Sequence, residues 1–146
     1  ADLTEHVLWR IENGGLSYMS PKVLVLMIGT NNTGHRQDPA EHTAQGIKAI
    51  IDKIRQQLPN TKILLLAIFP RGADDLDPKR QINQQINQII QHYADNEHIF
   101  WQNINANFLD ENRVLSRQVS PDLLHLSAEQ YEVWAQAIEP FLLEHL

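Results

Sequence analysis

The sequence contains no cysteine, which excludes disulfides, thiolate metal sites and a cysteine nucleophile. Its apolar runs, among them residues 23–28, are far too short to cross a bilayer, and no signal peptide is visible. Basic residues are also scarce: 12 Lys and Arg face 18 Asp and Glu, which gives a net charge of -6. A negative surface disfavours nucleic acid and anionic membranes as the main partner.

What is present is typical of one globular domain. The chain has 146 residues, of which 42% are hydrophobic and 21% charged, so it can bury a sizeable core. It begins with Ala1 rather than Met, and we expect that an upstream segment was removed or left out. The compartment stays open between the cytoplasm and secretion after removal of that segment.

Buried strands alternate with amphipathic helices along the chain. Residues 22–28 and 62–69 are apolar on both faces, and residues 98–101 form a shorter third strand. The stripe of the helix between the first two strands is Ala44, Ile47, Ile51, Ile54 and Leu58. This order predicts an α/β fold of three layers, α/β/α, with a flavodoxin-like parallel sheet.

Several local signals predict how elements begin and end. Residues 29–34 read as a polar turn, and Asp38 fits the N-cap of the following helix. Asp77 caps a later helix, and Pro140 should kink or divide the last one. Arg71 is expected to form a salt bridge with the acidic run at residues 74–77, with contact to an anionic substrate group as the alternative.

Two polar clusters lie where a parallel sheet binds ligands, beyond the carboxyl ends of its strands. Asn31 and Asn32 follow the first strand, where an amide can point an N–H donor into the crevice. The alternative is that both residues only form the turn, since Asn tolerates left-handed dihedrals. Asp122 and His125 precede the last helix, and the Asp can fix the His tautomer and leave Nε2 free as a base. The alternative is a turn Asp and a surface His.

Together these clusters resemble the SGNH (GDSL-type) hydrolases, and more closely the platelet-activating-factor acetylhydrolase catalytic-subunit branch. The resemblance runs from about His6 to the C-terminus. The stretches that carry it are residues 6–14 (HVLWRIENG), 21–23 (PKV), 28–32 (IGTNN), 69–72 (FPRG) and 122–126 (DLLHL). It implies a single SGNH domain over residues 1–146, without the first strands of its sheet.

The resemblance implies a role for each matched residue. Asn31 is the amide donor to the oxyanion, His125 the general base and Asp122 its orienting carboxylate. Thr30 and Leu124 line a small acyl pocket. The resemblance implies no metal and no cofactor, and it makes a homodimer possible.

Two elements of the family pattern are absent from this sequence: the nucleophilic Ser of a Gly-Asp-Ser turn and a Gly that supplies a second oxyanion donor. Ser116 and Ser120 stay open as substitutes, although neither lies in a glycine-bearing strand-to-helix turn. Without the first strands, residues 22–28 form an apolar edge of the sheet. The missing segment is expected upstream or as a separate chain.

The prediction is therefore a serine esterase that acts on small-molecule esters with a short acyl group, acetyl first. Its Ser-His-Asp mechanism would use a Ser upstream of this chain, so the fragment alone would be inactive. The competing hypothesis is a non-catalytic flavodoxin-like binding module or an inactive relative.

Overall fold

A computed structural model describes residues 2–146. Its regular elements are, in chain order, α1 (Thr4–Glu12), β1 (Val23–Leu26), α2 (Thr30–Arg36), α3 (Ala40–Gln57), β2 (Lys62–Leu66), α4 (Pro78–Ile90), β3 (Ile99–Gln102) and α5 (Ala128–His145). Short 3₁₀ segments follow α4 at Gln91–Tyr93 and β3 at Asn105–Phe108. No helix in the described part of the chain is both long and apolar enough to span a membrane.

The central strand β2 carries apolar side chains to both faces of a parallel sheet whose order is β1-β2-β3. Because side chains alternate along a strand, Ile63 and Leu65 join one core cluster while Leu64 and Leu66 join the other. Helices α1, α3 and α4 cover the first face, and α5 covers the second. This arrangement confirms the predicted three-layer α/β/α fold.

Strand β1 lies at an edge of the sheet. Within residues 2–146 its only strand partner is β2, in the register that sets Val25 beside Leu64. Val25 is partly exposed although the strand is apolar. The edge predicted for residues 22–28 is therefore present in this chain, on a shorter strand.

Two local predictions were wrong, and a third was wrong in part. Residues 29–34 are not a turn throughout, because Thr30–Arg36 forms α2. Asp38 does not cap α3, which has Pro39 as its N-cap; its carboxylate accepts from Arg36 and Asn32 instead. Pro140 does not divide α5, since it is exposed and water can bond to the carbonyl that its missing N–H leaves free; the kink stays a prediction.

Candidate active site

A cavity of about 490 Å³ lies beyond the carboxyl ends of β1 and β2, closed on one side by the loop that leads into α5. The predicted site residues Thr30, Asn31, Leu124 and His125 all line it. The other walls are apolar or aromatic and include Met27, Ile68, Phe69, Tyr131 and Trp134. The start of α2 and the loop before α5 therefore meet at one cavity.

Asp122 and His125 form the pair that the sequence predicts. The Nδ1 atom of His125 lies 2.7 Å from Oδ2 of Asp122. Because a carboxylate only accepts, Nδ1 carries the proton in this pair and Nε2 remains free. The other oxygen of Asp122 accepts from the backbone N–H groups of Leu124 and His125, at 2.9 and 2.7 Å. The carboxylate thus fixes both the ring and the turn that carries it.

These hydrogen bonds hold the charge on Asp122. The bond to the His125 ring, followed by the two backbone N–H bonds, keeps the pKa of this carboxyl far below its usual range. Both side chains are more than half exposed in this chain. The pair therefore offers a permanent anion beside a solvent-accessible imidazole, which is the arrangement that a general base needs.

Buried contacts behind the pair hold the loop in place. Ser120 is fully buried, and its hydroxyl donates to the carbonyl of His125 at 2.7 Å. The backbone N–H of Gly72, after β2, donates to the carbonyl of Leu123 at 2.9 Å. Leu123 adopts a left-handed φ of 56° within this turn. The position of His125 is therefore set by the end of β2 as well as by its own loop.

The Asn31 side of the cavity depends on a glycine. Gly29 has a φ of 129°, and a Cβ there would lie 2.9 Å from Cδ1 of Ile68, so a side chain is excluded by both backbone and space. The chain can then leave β1 sharply and place Asn31 in the first turn of α2. The Asn31 amide is half-buried and donates to the carbonyl of Asp2 at 3.2 Å.

Asn32 has a different environment from its neighbour. Its side chain is fully buried; it accepts from the backbone N–H of Thr4 at 3.0 Å and donates to Oγ1 of Thr4 at 3.0 Å. It also donates to Asp38 at 3.2 Å. Asn32 therefore ties α1 to α2, while Asn31 is the amide at the cavity.

Arg71 supports the first turn of α2, which carries Asn31. The predicted salt bridge from Arg71 to the acidic run was wrong. Its Nη1 donates to the carbonyl and the hydroxyl of Thr30, at 3.0 and 3.1 Å. Burial lowers the pKa of the guanidinium, against the opposing charge of Asp77. The hydroxyl of Thr30 also accepts from Nδ2 of Asn83 at 3.2 Å. Sequence reasoning missed this support because residues 41 and 53 positions away share no local pattern with Thr30.

The two serines considered as substitutes have other contacts. Ser120 is buried and bonded to His125 through its hydroxyl, and Oγ of Ser116 accepts from the backbone N–H of Val119. Among the described residues, no serine lines the cavity. Neither Ser116 nor Ser120 is therefore placed as a nucleophile.

A separate cluster of possible metal ligands lies near α1. Glu5, Asp38 and His42 have ligand atoms within 4.8 Å of one another. The guanidinium of Arg36 forms ion pairs with both carboxylates. A cation therefore already occupies this acidic position, and the cluster is better described as an ion-pair network than as a metal site.

Proteins of similar sequence match nearly the whole chain. Platelet-activating factor acetylhydrolase IB subunit alpha1 of Homo sapiens is 34% identical over 146 residues, which are 99% of this chain and 62% of that protein. The subunit beta homolog of Drosophila melanogaster is 47% identical over 89 residues, 61% of this chain and 38% of that protein. The chain thus spans about 62% of the length of the human relative.

Solved structures share the fold at low identity. A GDSL-like lipase from Bacteroides thetaiotaomicron superposes with a TM-score of 0.79 at 21% identity, covering 99% of this chain and 73% of that one. A carbohydrate acetylesterase from Sinorhizobium meliloti has a TM-score of 0.73 at 16% identity, covering 95% and 68%. The family model of GDSL-like lipases and acylhydrolases matches residues 2–133. The chain therefore belongs to the GDSL-like lipase/acylhydrolase family.

Proposed function

We propose that the protein carrying this chain is a serine esterase that hydrolyses esters with short acyl groups, acetyl first. The observation that supports this proposal most is the meeting of the Asn31 amide and the Asp122–His125 pair at one apolar cavity. Family membership points in the same direction. In this proposal residues 1–146 are one SGNH domain whose nucleophilic Ser lies upstream of them or on a separate chain.

The proposed chemistry assigns one task to each residue. Nε2 of His125 takes the proton of the Ser hydroxyl as its oxygen bonds to the ester carbonyl carbon, and Asp122 stabilises the resulting imidazolium. The carbonyl oxygen becomes an anion, which the Asn31 amide stabilises as a hydrogen-bond donor. The C–O bond to the alcohol then breaks, and His125 returns the proton to the leaving oxygen. Water activated by His125 hydrolyses the acyl-enzyme in the same way.

The Asn31 amide can donate to the oxyanion through its second N–H or by exchanging its present partner. It now donates to the carbonyl of Asp2 at 3.2 Å, a long and half-buried hydrogen bond. A developing oxyanion is a stronger acceptor than a neutral carbonyl, and charge-assisted bonds are roughly twice as strong. The hydrogen bond from the amide to the developing oxyanion is therefore stronger than its present bond to a neutral carbonyl.

Acyl selectivity is assigned to the cavity wall. Thr30 and Leu124 face a cavity that Phe69 and Trp134 also line, with ring centroids 4.9 Å apart in an edge-on contact. Such packed aromatic walls adapt poorly to a longer chain. Acetyl is proposed as the preferred group because the names of the human relative and of the structural neighbour from Sinorhizobium meliloti describe acetyl transfer to water.

The test is active-site labelling of the full-length protein with a fluorophosphonate. One Ser outside residues 1–146 should be labelled, and His125→Ala should abolish labelling. His92→Ala, which removes an exposed imidazole from the 3₁₀ segment after α4, is the matched control and should leave labelling intact. Aryl acetate should be hydrolysed faster than aryl octanoate. Failure to label and to hydrolyse any short aryl ester would contradict the proposal and favour the non-catalytic binding module.

A further inference from the structure

A second and larger cavity, of about 740 Å³, lies beyond the ends of β2 and β3 and against α4. It shares only Ile68 and Phe69 with the cavity at Asn31 and His125. Six of its lining residues define what is called here the amide cavity: Gln84, Gln88, Gln91, Trp101, Asn103 and Asn105. All of its lining residues lie between residues 68 and 113, and none of them belongs to the edge strand β1.

Its inner amides are engaged by the protein and make a fixed floor. Asn87 exchanges two hydrogen bonds with the backbone of Ile68, at 2.8 and 3.1 Å. Nδ2 of Asn105 donates to the same carbonyl at 3.0 Å. Asn83 is held between Thr30 and Thr33. Asn83 and Asn87 thus have both amide atoms bonded, which holds the floor in place, whereas the buried Oδ1 of Asn105 accepts no hydrogen bond from the described residues.

Its outer amides keep polar atoms available. Nε2 of Gln84 donates to Asp75 at 2.8 Å, and within residues 2–146 its Oε1 accepts no hydrogen bond. Oδ1 of Asn103 accepts from the backbone N–H of Asn105 at 3.0 Å, which leaves its Nδ2 without an acceptor in the described chain. The side chain of Gln88 has no hydrogen bond to any described residue. The rim therefore offers both donors and acceptors.

The charged groups of the cavity are already paired. Arg80 is 1% exposed, and its guanidinium donates to the carbonyls of Arg71, Gly72 and Arg113. Arg113 forms its ion pair with Asp75. Arg80 is therefore fully engaged, and Arg113 binds Asp75 through Nε while its Nη groups donate to no described residue. The other free hydrogen-bonding groups at the rim are the neutral amides of Gln84, Gln88 and Asn103.

We infer that the amide cavity binds a neutral polyhydroxylated molecule, a monosaccharide or disaccharide. Hydroxyl groups both donate and accept, as the side-chain amides at the rim do. The indole of Trp101 is half-buried and lines the wall, and an indole is an apolar surface on which the C–H face of a sugar ring can stack. The volume lies within the range of small-molecule sites, roughly 300–1,000 Å³. This inference does not rest on the proposed esterase activity.

The experiment is a titration of the ¹⁵N-labelled full-length protein with glucose, xylose, N-acetylglucosamine and cellobiose at millimolar concentrations, with no ester present. The indole N–H signal of Trp101, assigned with Trp101→Phe, and side-chain amide signals should shift and saturate with at least one sugar. Gln88→Ala removes an exposed side chain without internal bonds, so it should fold normally. It should weaken binding roughly threefold to tenfold, the effect of one or two net hydrogen bonds.

Gln85→Ala is the matched control, since it removes the same side chain from another exposed position of α4 that does not line the amide cavity. It should leave the dissociation constant unchanged. The inference is overturned if none of the four sugars shifts the Trp101 signal, or if Gln85→Ala weakens binding as much as Gln88→Ala. It is also overturned if inorganic phosphate shifts these signals and the sugars do not.

Discussion

At the scale of single residues, Asn31 and Asn32 are adjacent but have separable tasks. Asn31→Ala removes a half-buried side chain with one long hydrogen bond, so stability should change little. Ester hydrolysis should fall by about 10²- to 10³-fold in kcat, the usual effect of losing one oxyanion donor. Asn32→Ala should instead reduce the free energy of unfolding by about 2–3 kcal/mol, because Thr4 and Asp38 lose a buried partner.

Steady-state kinetics and urea unfolding of the two full-length variants test this separation. The assignment would be contradicted if Asn31→Ala retained full kcat, or if both variants lost stability equally. Neither pattern is compatible with one amide at the cavity and the other joining two helices.

Arg71 acts on the site only through Thr30. Arg71→Gln removes two hydrogen bonds from the turn that carries Asn31, so the amide loses its fixed position. We expect kcat to fall about tenfold with a smaller change in KM, since an offset of about 1.4 kcal/mol in the transition state is tenfold in rate. Arg71→Lys keeps the charge but not the planar fork and should recover part of the loss.

The control for Arg71 is Arg55→Gln. Arg55 also donates to backbone carbonyls, of Pro59 and Thr61, but at the end of α3 near the start of β2. If both variants lower kcat by the same factor, Arg71 contributes to general stability and not to positioning.

At the scale of secondary-structure elements, Asp95 organises the entry into β3. Its Oδ1 accepts from the backbone N–H groups of Glu97, His98 and Ile99, at 2.9, 2.8 and 2.8 Å. Burial alone would raise the pKa of this carboxyl, but the three hydrogen bonds outweigh it and lower the pKa to about 2. The ionised group therefore stabilises the fold above its ordinary pKa, about 4, and this contribution is lost as the pH falls toward 2.

Asp95→Asn tests this pH dependence. The variant should be less stable than the parent at pH 7, and the difference should shrink as the pH approaches 2, because the parent then becomes protonated. Urea unfolding of the full-length protein across this pH range measures the difference. Glu111→Gln changes an exposed carboxylate that makes no hydrogen bond among the described residues, and it should show no such trend. A constant difference between parent and Asp95→Asn would contradict the assignment.

The strands and helices also show which structural features the sequence predicts and which contacts it does not predict. The first two strands followed from runs that are apolar on both faces, because such runs are stable only inside a covered parallel sheet. Asp38 was misassigned as a cap because its carboxylate accepts from Arg36 and Asn32, and Asn32 comes near through α2, a helix that the sequence analysis had taken as a turn. Likewise Asp122 and His125 are three residues apart and could be paired from the sequence, whereas Arg71 and Thr30 could not.

At the scale of the whole molecule, the sheet of this chain has an unprotected edge. Strand β1 pairs on one side within residues 2–146, and Val25, on that strand, is 37% exposed. Unpaired strand N–H and C=O groups template association with another chain.

The 146-residue chain expressed by itself should therefore form concentration-dependent oligomers, and Val25→Lys should shift them toward the monomer, because a charge on an edge strand opposes pairing. Leu143→Lys, at a 73% exposed position of α5, adds the same charge away from the edge and should change little. Analytical ultracentrifugation over a concentration series measures the effect, and a parent chain that stays monomeric throughout would show that the edge of β1 is not adhesive.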